Sequence, residues 1–288
     1  MSLHKEVCFV VLCGLPGSGK TSLSLEIKKW LVELDETITL VISYDKLMPP
    51  SIESELINQK CEEKSKWKIY REAIVDLVQN FITDINREPN LGSIQSIKKW
   101  VSRNMLKDAN ESYKYSDFNS DFHRTLMAHF SKLINEHLLE VKEEKRDELK
   151  EGNMKIVIII DDNMYFRSMR YDYYQLARNS SVGFCEVYVA CSVSLALQRN
   201  SQRASGFVEP EIITNMANRF EIPDQSHHSW EKYSLICTTD NIQIHRSYKK
   251  SVQARQYCQK HFFPNHAKIG SKSCKVVDST NEKYHQVL

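Results

Sequence analysis

Short apolar, β-branched runs alternate along the chain with longer stretches in which apolar residues recur every third or fourth position. Val7-Cys8-Phe9-Val10-Val11-Leu12 is the first run, Ile38-Thr39-Leu40-Val41-Ile42-Ser43 the second and Lys155-Ile156-Val157-Ile158-Ile159-Ile160 the third. Phe184-Cys185-Glu186-Val187-Tyr188-Val189-Ala190-Cys191 and the shorter Tyr233-Ser234-Leu235-Ile236-Cys237-Thr238 complete the set. Runs without strict polar alternation belong to strands buried on both faces, as in a parallel sheet. Between them, Leu23, Ile27, Trp30, Leu31 and Leu34 mark one helix, and apolar positions from Trp67 to Ile85 mark a long amphipathic one. Residues 165–179, 193–200 and 212–220 read as further helices. Strands alternating with helices build right-handed βαβ units, so the expected fold is α/β, a parallel sheet flanked by helices on both faces.

Two regions depart from this rhythm. Residues 46–66 are polar and irregular, with Pro49-Pro50 breaking any helix. Residues 93–150 read as a helical insertion: Ile94, Ile97, Trp100, Val101 and Met105 fit one helix, and Phe122, Leu126, Phe130, Leu133, Ile134, Leu138 and Val141 another. The second runs into the charge block 142–150, an exposed helix end or loop. The expected organisation is a main domain over 1–240, insertion included, and a small basic segment over 241–288.

Composition changes the picture in one place. An apolar share of 41% and a charged share of 26% are those of a globular protein, and no apolar run reaches the roughly 20 residues that span a bilayer. The first strand begins too early to leave room for a leader, which makes the cytoplasm the expected address. The net charge of +2 hides an asymmetry: residues 241–288 hold nine Lys/Arg against Asp278 and Glu282, hence +7, and the other 240 residues carry −5. A basic segment on an acidic body points to a polyanionic partner, with a merely solvated tail as the alternative. The eight cysteines form no C-x-x-C pair and read as reduced thiols, several within strand runs. Cys258, His261, His266 and Cys274 could gather zinc, but their spacings match no standard finger.

The chemistry begins after the first strand. Gly14-Leu15-Pro16-Gly17-Ser18-Gly19-Lys20-Thr21 satisfies G-x-x-x-x-G-K-[ST] at every fixed position, between a strand and a helix as a phosphate-binding loop requires. Its glycines bring backbone N–H groups close to phosphate oxygens, and the helix N-terminus faces the same anion. Lys20 would meet the β- and γ-phosphates of ATP, and the Thr21 hydroxyl Mg²⁺. Asp45, at the end of the second strand, fits a general base beside the γ-phosphate or a turn cap. Asp161 follows an apolar strand, where P-loop proteins place the carboxylate that orients Mg²⁺ and its waters; Asp162 shares that work, faces the substrate or caps the next helix. Arg199 and Arg203, four apart, fit a lid over the phosphates or surface ion pairs.

These residues sit within longer motifs. With the P-loop come Tyr44-Asp45-Lys46-Leu47-Met48-Pro49 and Asp161-Asp162-Asn163-Met164-Tyr165-Phe166-Arg167-Ser168-Met169-Arg170-Tyr171. Gln175-Leu176-Ala177-Arg178, Gly183-Phe184-Cys185, Leu197-Gln198-Arg199-Asn200-Ser201-Gln202-Arg203 and Trp230-Glu231 follow. Together they resemble the L-seryl-tRNA(Sec) kinase family, also called phosphoseryl-tRNA kinases, over residues 7 to about 240. The resemblance implies a P-loop kinase using ATP and Mg²⁺ to phosphorylate the seryl group carried by selenocysteine tRNA. A partner enzyme then converts phosphoseryl-tRNA to selenocysteinyl-tRNA. It implies Lys20 and Thr21 at nucleotide and metal, Asp45 as base, and Arg199 and Arg203 as lid. It also places a tRNA-gripping domain at the C-terminus, where Arg246, Lys249, Lys250, Arg255 and Lys260 are the candidate RNA-binding residues. The other readings are the related tRNA-binding ATPase that serves Elongator, which phosphorylates no acceptor, and a small-metabolite kinase of similar fold.

Overall fold

The computed structural model describes residues 6–32, 37–49, 52–53, 56, 65–87, 94–105, 120–141, 155–232 and 234–239. The five apolar runs form strands β1 (Glu6–Cys13), β2 (Thr37–Ser43), β3 (Lys155–Asp161), β4 (Gly183–Ala190) and β5 (Leu235–Thr238). They pair in parallel in the order β2-β3-β1-β4-β5. Nearly every side chain of β1, β2 and β3 is buried, which is why their sequences do not alternate.

Helix α1 (Lys20–Val32) lays Leu23, Ile27 and Leu31 on one face of the sheet, against Cys8, Val10, Val157 and Cys185. The opposite face carries Phe9, Val11, Ile38, Leu40, Ile158 and Ile160, covered by α3 (Lys66–Arg87), α4 (Ile94–Met105), α5 (Ser120–Leu139) and α6 (Arg167–Asn179). The described helices of the 93–150 segment therefore enter the main core. Trp100 meets Phe81 and Phe130 edge-on, at ring separations of 4.8 and 6.3 Å, and Trp100 Nε1 donates to Asp84 at 2.6 Å. Such aromatic pairs add about 0.5–1.5 kcal/mol each beyond area burial.

Three elements differ from the sequence reading. Asp45 lies not in a strand end but in a one-turn helix, α2 (Tyr44–Leu47), whose Tyr44 and Leu47 are buried. Helix α6 begins at Arg167 rather than Tyr165, because Met164 takes a left-handed conformation (φ 44°) and Tyr165 O accepts from Glu221 N at 2.9 Å. Helix α8 (Pro210–Asn218), which follows α7 (Val193–Ser201), starts two residues before Ile212 with proline at its first position, where the missing N–H costs nothing. The basic positions 246–260 and the Cys258–His266–Cys274 group lie outside the described residues, as does the charge block 142–150. Among the described residues no helix is long and apolar enough to cross a membrane.

Candidate nucleotide and phosphoryl-transfer site

Register brings the chemistry together. Asp161, the last residue of β3, pairs with Leu12 of β1 on one side and Ser43 of β2 on the other. The P-loop, Asp161 and Asp45 thus leave three adjacent strand ends, spaced about 5 Å apart. The β1 connection runs toward β2 and the β3 connection toward β4, so the chain reverses between β1 and β3. That crevice is where open α/β sheets bind ligands.

Close packing dictates the glycines of the loop. At Gly14 a Cβ would stand 2.6 Å from Val189 O, and at Gly17 (φ 84°) it would collide with Ala196 O. Gly14 N donates to Asn163 O at 2.9 Å, tying the loop to the residue after Asp162. Lys20, 7% exposed, donates to Gly14 O at 3.0 Å, Leu15 O at 2.8 Å and Asn163 Oδ1 at 2.9 Å. The P-loop cation is thereby parked on carbonyls of its own loop. Burial lowers its pKa, while the charges of Asp161 and Asp162 oppose that shift.

The carboxylates have distinct surroundings. Asp161 is buried, accepts a hydrogen bond from the Thr21 hydroxyl, and has its pKa pushed up to about 6 by desolvation, against the pull of Lys20. Asp162 turns to Arg71 of α3, whose Nη2 donates to Oδ2 at 2.6 Å. Burial acts to raise the Asp162 pKa, but the Arg71 charge outweighs it and holds this carboxyl low. Asp45 keeps solvent access; desolvation and the Asp162 charge raise its pKa, with Lys20 and Arg203 pulling it down. Those influences place Asp45 within electrostatic reach of the P-loop lysine and of the second arginine.

A cleft of about 300 Å³ lies over the loop, lined by Gly17, Gly19, Lys20, Thr21, Arg199, Arg203 and Thr239 among others. Helix α7 ends at Ser201, so Arg203 reaches the cleft from the turn beyond it; its Nη1 donates to Gly206 O at 2.9 Å. Arg199 donates to Thr239 Oγ1 at 2.9 Å and Thr239 O at 2.8 Å, and Thr239 Oγ1 donates to Ser18 O at 2.9 Å. The sequence reading missed Arg71 and Thr239. Thr239 directly follows the last strand, and the end of that apolar run was the signal that could have marked it. Arg71 gave no signal beyond a charge on a helix whose apolar stripe was counted.

Mg²⁺ fits this donor set. The Thr21 hydroxyl and the Asp161 carboxylate are hard oxygen donors already adjacent, and no described group of three or more His, Cys, Asp and Glu could hold a metal ion. Mg²⁺ in nucleotide sites is ordinarily held in that way, by one or two protein oxygens with phosphates and waters completing the shell.

An all-parallel sheet in this order, with a G-x-x-x-x-G-K-[ST] loop between its central strand and the first helix, defines a P-loop protein of the kinase fold. The chain belongs to the family described as chromatin associated protein KTI12, whose model matches residues 7–86 and 135–279. It is 28% identical to human L-seryl-tRNA(Sec) kinase over 226 residues, 78% of this chain and 58% of that protein. The mouse L-seryl-tRNA(Sec) kinase is 27% identical over 237 residues, 82% of this chain and 60% of that one. The chain thus spans about three fifths of the length of these curated relatives. Among solved structures, Chaetomium thermophilum Kti12 in complex with ADP-AlF3 matches with 18% identity and a TM-score of 0.49, covering 88% of this chain and 96% of that one.

Proposed function

We propose that this protein transfers the γ-phosphoryl group of ATP to the seryl hydroxyl of serine-charged selenocysteine tRNA, giving the phosphoseryl-tRNA used for selenocysteine synthesis. The observation that carries this reading is the Ser43–Asp161–Leu12 register, by which a solvent-accessible carboxylate, Asp45, follows the strand next to that of Asp161 and stays within electrostatic reach of Lys20. The similarity to the human and mouse kinases supports the choice of acceptor.

In this reading, Lys20 leaves its carbonyl partners for the β- and γ-phosphates, whose charge restores the full basicity that burial removes. Thr21 and Asp161 would hold Mg²⁺, which would supply charge neutralisation on the phosphoryl oxygens. Asp45 accepts the proton of the attacking hydroxyl; its raised pKa makes it a better base than an unperturbed aspartate. Arg199 and Arg203, which line the cleft over the loop, neutralise charge on the phosphates. Positioning and electrostatics supply most of the acceleration, because the loose transition state of phosphoryl transfer asks for little else. Arg246, Lys249, Lys250, Arg255 and Lys260 would hold RNA phosphates, and the product passes to a phosphoseryl-tRNA-converting enzyme in the cytoplasm.

Membership of the KTI12 family keeps a second reading open, a tRNA-binding ATPase that phosphorylates no acceptor. Incubation with γ-labelled ATP and serine-charged tRNAs, followed by deacylation, separates the two. Labelled phosphoserine from selenocysteine tRNA, and little from ordinary serine tRNA, is the expected product. Label released only as inorganic phosphate, in amounts that rise with tRNA, selects the ATPase.

A further inference from the structure

We propose that Arg71, on the first turns of α3, is the positioning residue that fixes the acceptor side of the site, an inference that rests on the phosphotransfer reading above. Its guanidinium is the point where three separate pieces of chain meet. Nη2 donates to Asp162 Oδ2 at 2.6 Å, with both side chains largely shielded from solvent (11% and 9% exposed). The same cation lies 4.4 Å from the ring centroid of Tyr44 and 4.9 Å from that of Trp67. The sulfurs of Met164 and Met169 approach Nη2 at 3.7 and 3.9 Å.

Tyr44 immediately precedes Asp45, and Asp162 immediately follows Asp161. Arg71 therefore grips the neighbour of each carboxylate that the reaction uses, without taking either. It holds Asp162 toward α3, leaving Asp161 as the carboxylate beside Thr21. It holds the Tyr44 ring, whose hydroxyl is itself bonded to that of Tyr173 at 2.8 Å, so that the α2 turn bearing Asp45 has a fixed origin. Only a planar cation can stack on rings and present an in-plane N–H to a carboxylate at once. A buried ion pair is a poor source of stability compared with an apolar pair, so its presence at the end of the strand next to the P-loop strand calls for a role in geometry.

The test is Arg71→Ala and Arg71→Lys, with nucleotide affinity, thermal midpoint, ADP formation and phosphoserine formation measured on the full chain. Nucleotide affinity is read with a fluorescent ADP analogue without magnesium, since Arg71 touches none of the P-loop residues. Arg71→Ala is expected to keep that affinity within about twofold and to lower kcat about 100-fold, the scale of a 1 Å misplacement. Arg71→Lys, which retains the charge and guards against a folding defect, is expected to melt near wild type and still turn over about tenfold more slowly, because an ammonium lacks the fork and the plane. Wild-type turnover in Arg71→Lys overturns the proposal, as does a fall in kcat matched by an equal fall in nucleotide affinity. If wild type itself forms ADP but no phosphoserine, the acceptor assignment fails, and Arg71 is judged on ADP formation, where the same decrease is expected.

Discussion

Asp45 and Lys20 carry separable burdens, and substitution separates them. Asp45 influences Lys20 through its charge but is not among the residues that line the cleft over the loop, so Asp45→Asn is expected to bind ATP about as well as wild type does while phosphoryl transfer falls about 10²–10⁴-fold, the usual contribution of a general base. Equilibrium binding and single-turnover transfer on the same preparation check both halves; undiminished transfer removes Asp45 as base. Gly17→Ala tests the loop in a different way. Its new methyl group would strike Ala196 O of α7 at a positive φ, so the loop must shift, and nucleotide binding measured by calorimetry is expected to disappear without global unfolding. At this scale much was legible in the sequence. Gly14, Lys20, Thr21, Asp45 and Asp161 all stand at or just beyond strand ends, and strand ends are readable from apolar runs. Arg71 was not, because a residue that works by reaching across from another element leaves no local spacing.

Two polar clusters hold the elements that carry the site. Arg170 of α6 is fully buried between Glu186 of β4 and Glu231 before β5; it pairs directly with Glu186 and donates to Glu231 Oε1 at 3.0 Å and Met164 O at 2.9 Å. Ser234 Oγ donates to the other Glu186 oxygen at 2.9 Å, and Glu231 Oε2 accepts from Asp224 N at 2.7 Å. The cluster fastens the loop after Asp161 to the far half of the sheet. Removing the cation strands two buried carboxylates, so Arg170→Ala is expected to cost about 3–5 kcal/mol in urea unfolding. A periodicity reading passes over such a cluster, although a lone Glu186 inside an apolar strand is itself a sign that a buried partner exists.

The second cluster joins α1 to α5 and β2. His137 Nε2 donates to Val41 O at 2.9 Å, and its Nδ1 accepts from Lys28 Nζ at 2.6 Å; Lys28 also pairs with Glu140. Burial first, and then the Lys28 charge, lower the His137 pKa from its ordinary 6.5, so the folded state holds a neutral ring. The unfolded chain binds more protons below about pH 6.5, and stability therefore falls as pH drops from there toward the folded-state pKa. Denaturation midpoints from pH 8 to 5 are expected to decline more steeply for wild type than for His137→Gln, and parallel curves would contradict the assignment.

For the whole molecule, the parallel sheet and its helical cover were expected from alternating runs, and the structure has them in the order β2-β3-β1-β4-β5. Strand order itself was not legible, because which strand pairs with which depends on long-range packing that no local pattern encodes. The 93–150 segment read as an insertion, yet its described helices share the main core, an outcome decided by Trp100, Phe81 and Phe130 meeting across elements. The +7 segment beyond 240 is the proposed RNA grip. Replacing Lys249, Lys250, Arg255 and Lys260 by Ala is expected to weaken tRNA binding and flatten its salt dependence, by roughly 0.7–0.9 in log–log slope for each phosphate no longer neutralised. An unaltered slope in filter binding across a salt series would remove that segment from the interface.

Transfer of a terminal phosphoryl group to an alcohol carried by RNA has a stoichiometry that can be counted. In a single-turnover reaction with γ-labelled ATP and excess serine-charged selenocysteine tRNA, the prediction is one labelled phosphoserine for each ADP formed. ADP accumulating with free inorganic phosphate, and no label on serine, would contradict it.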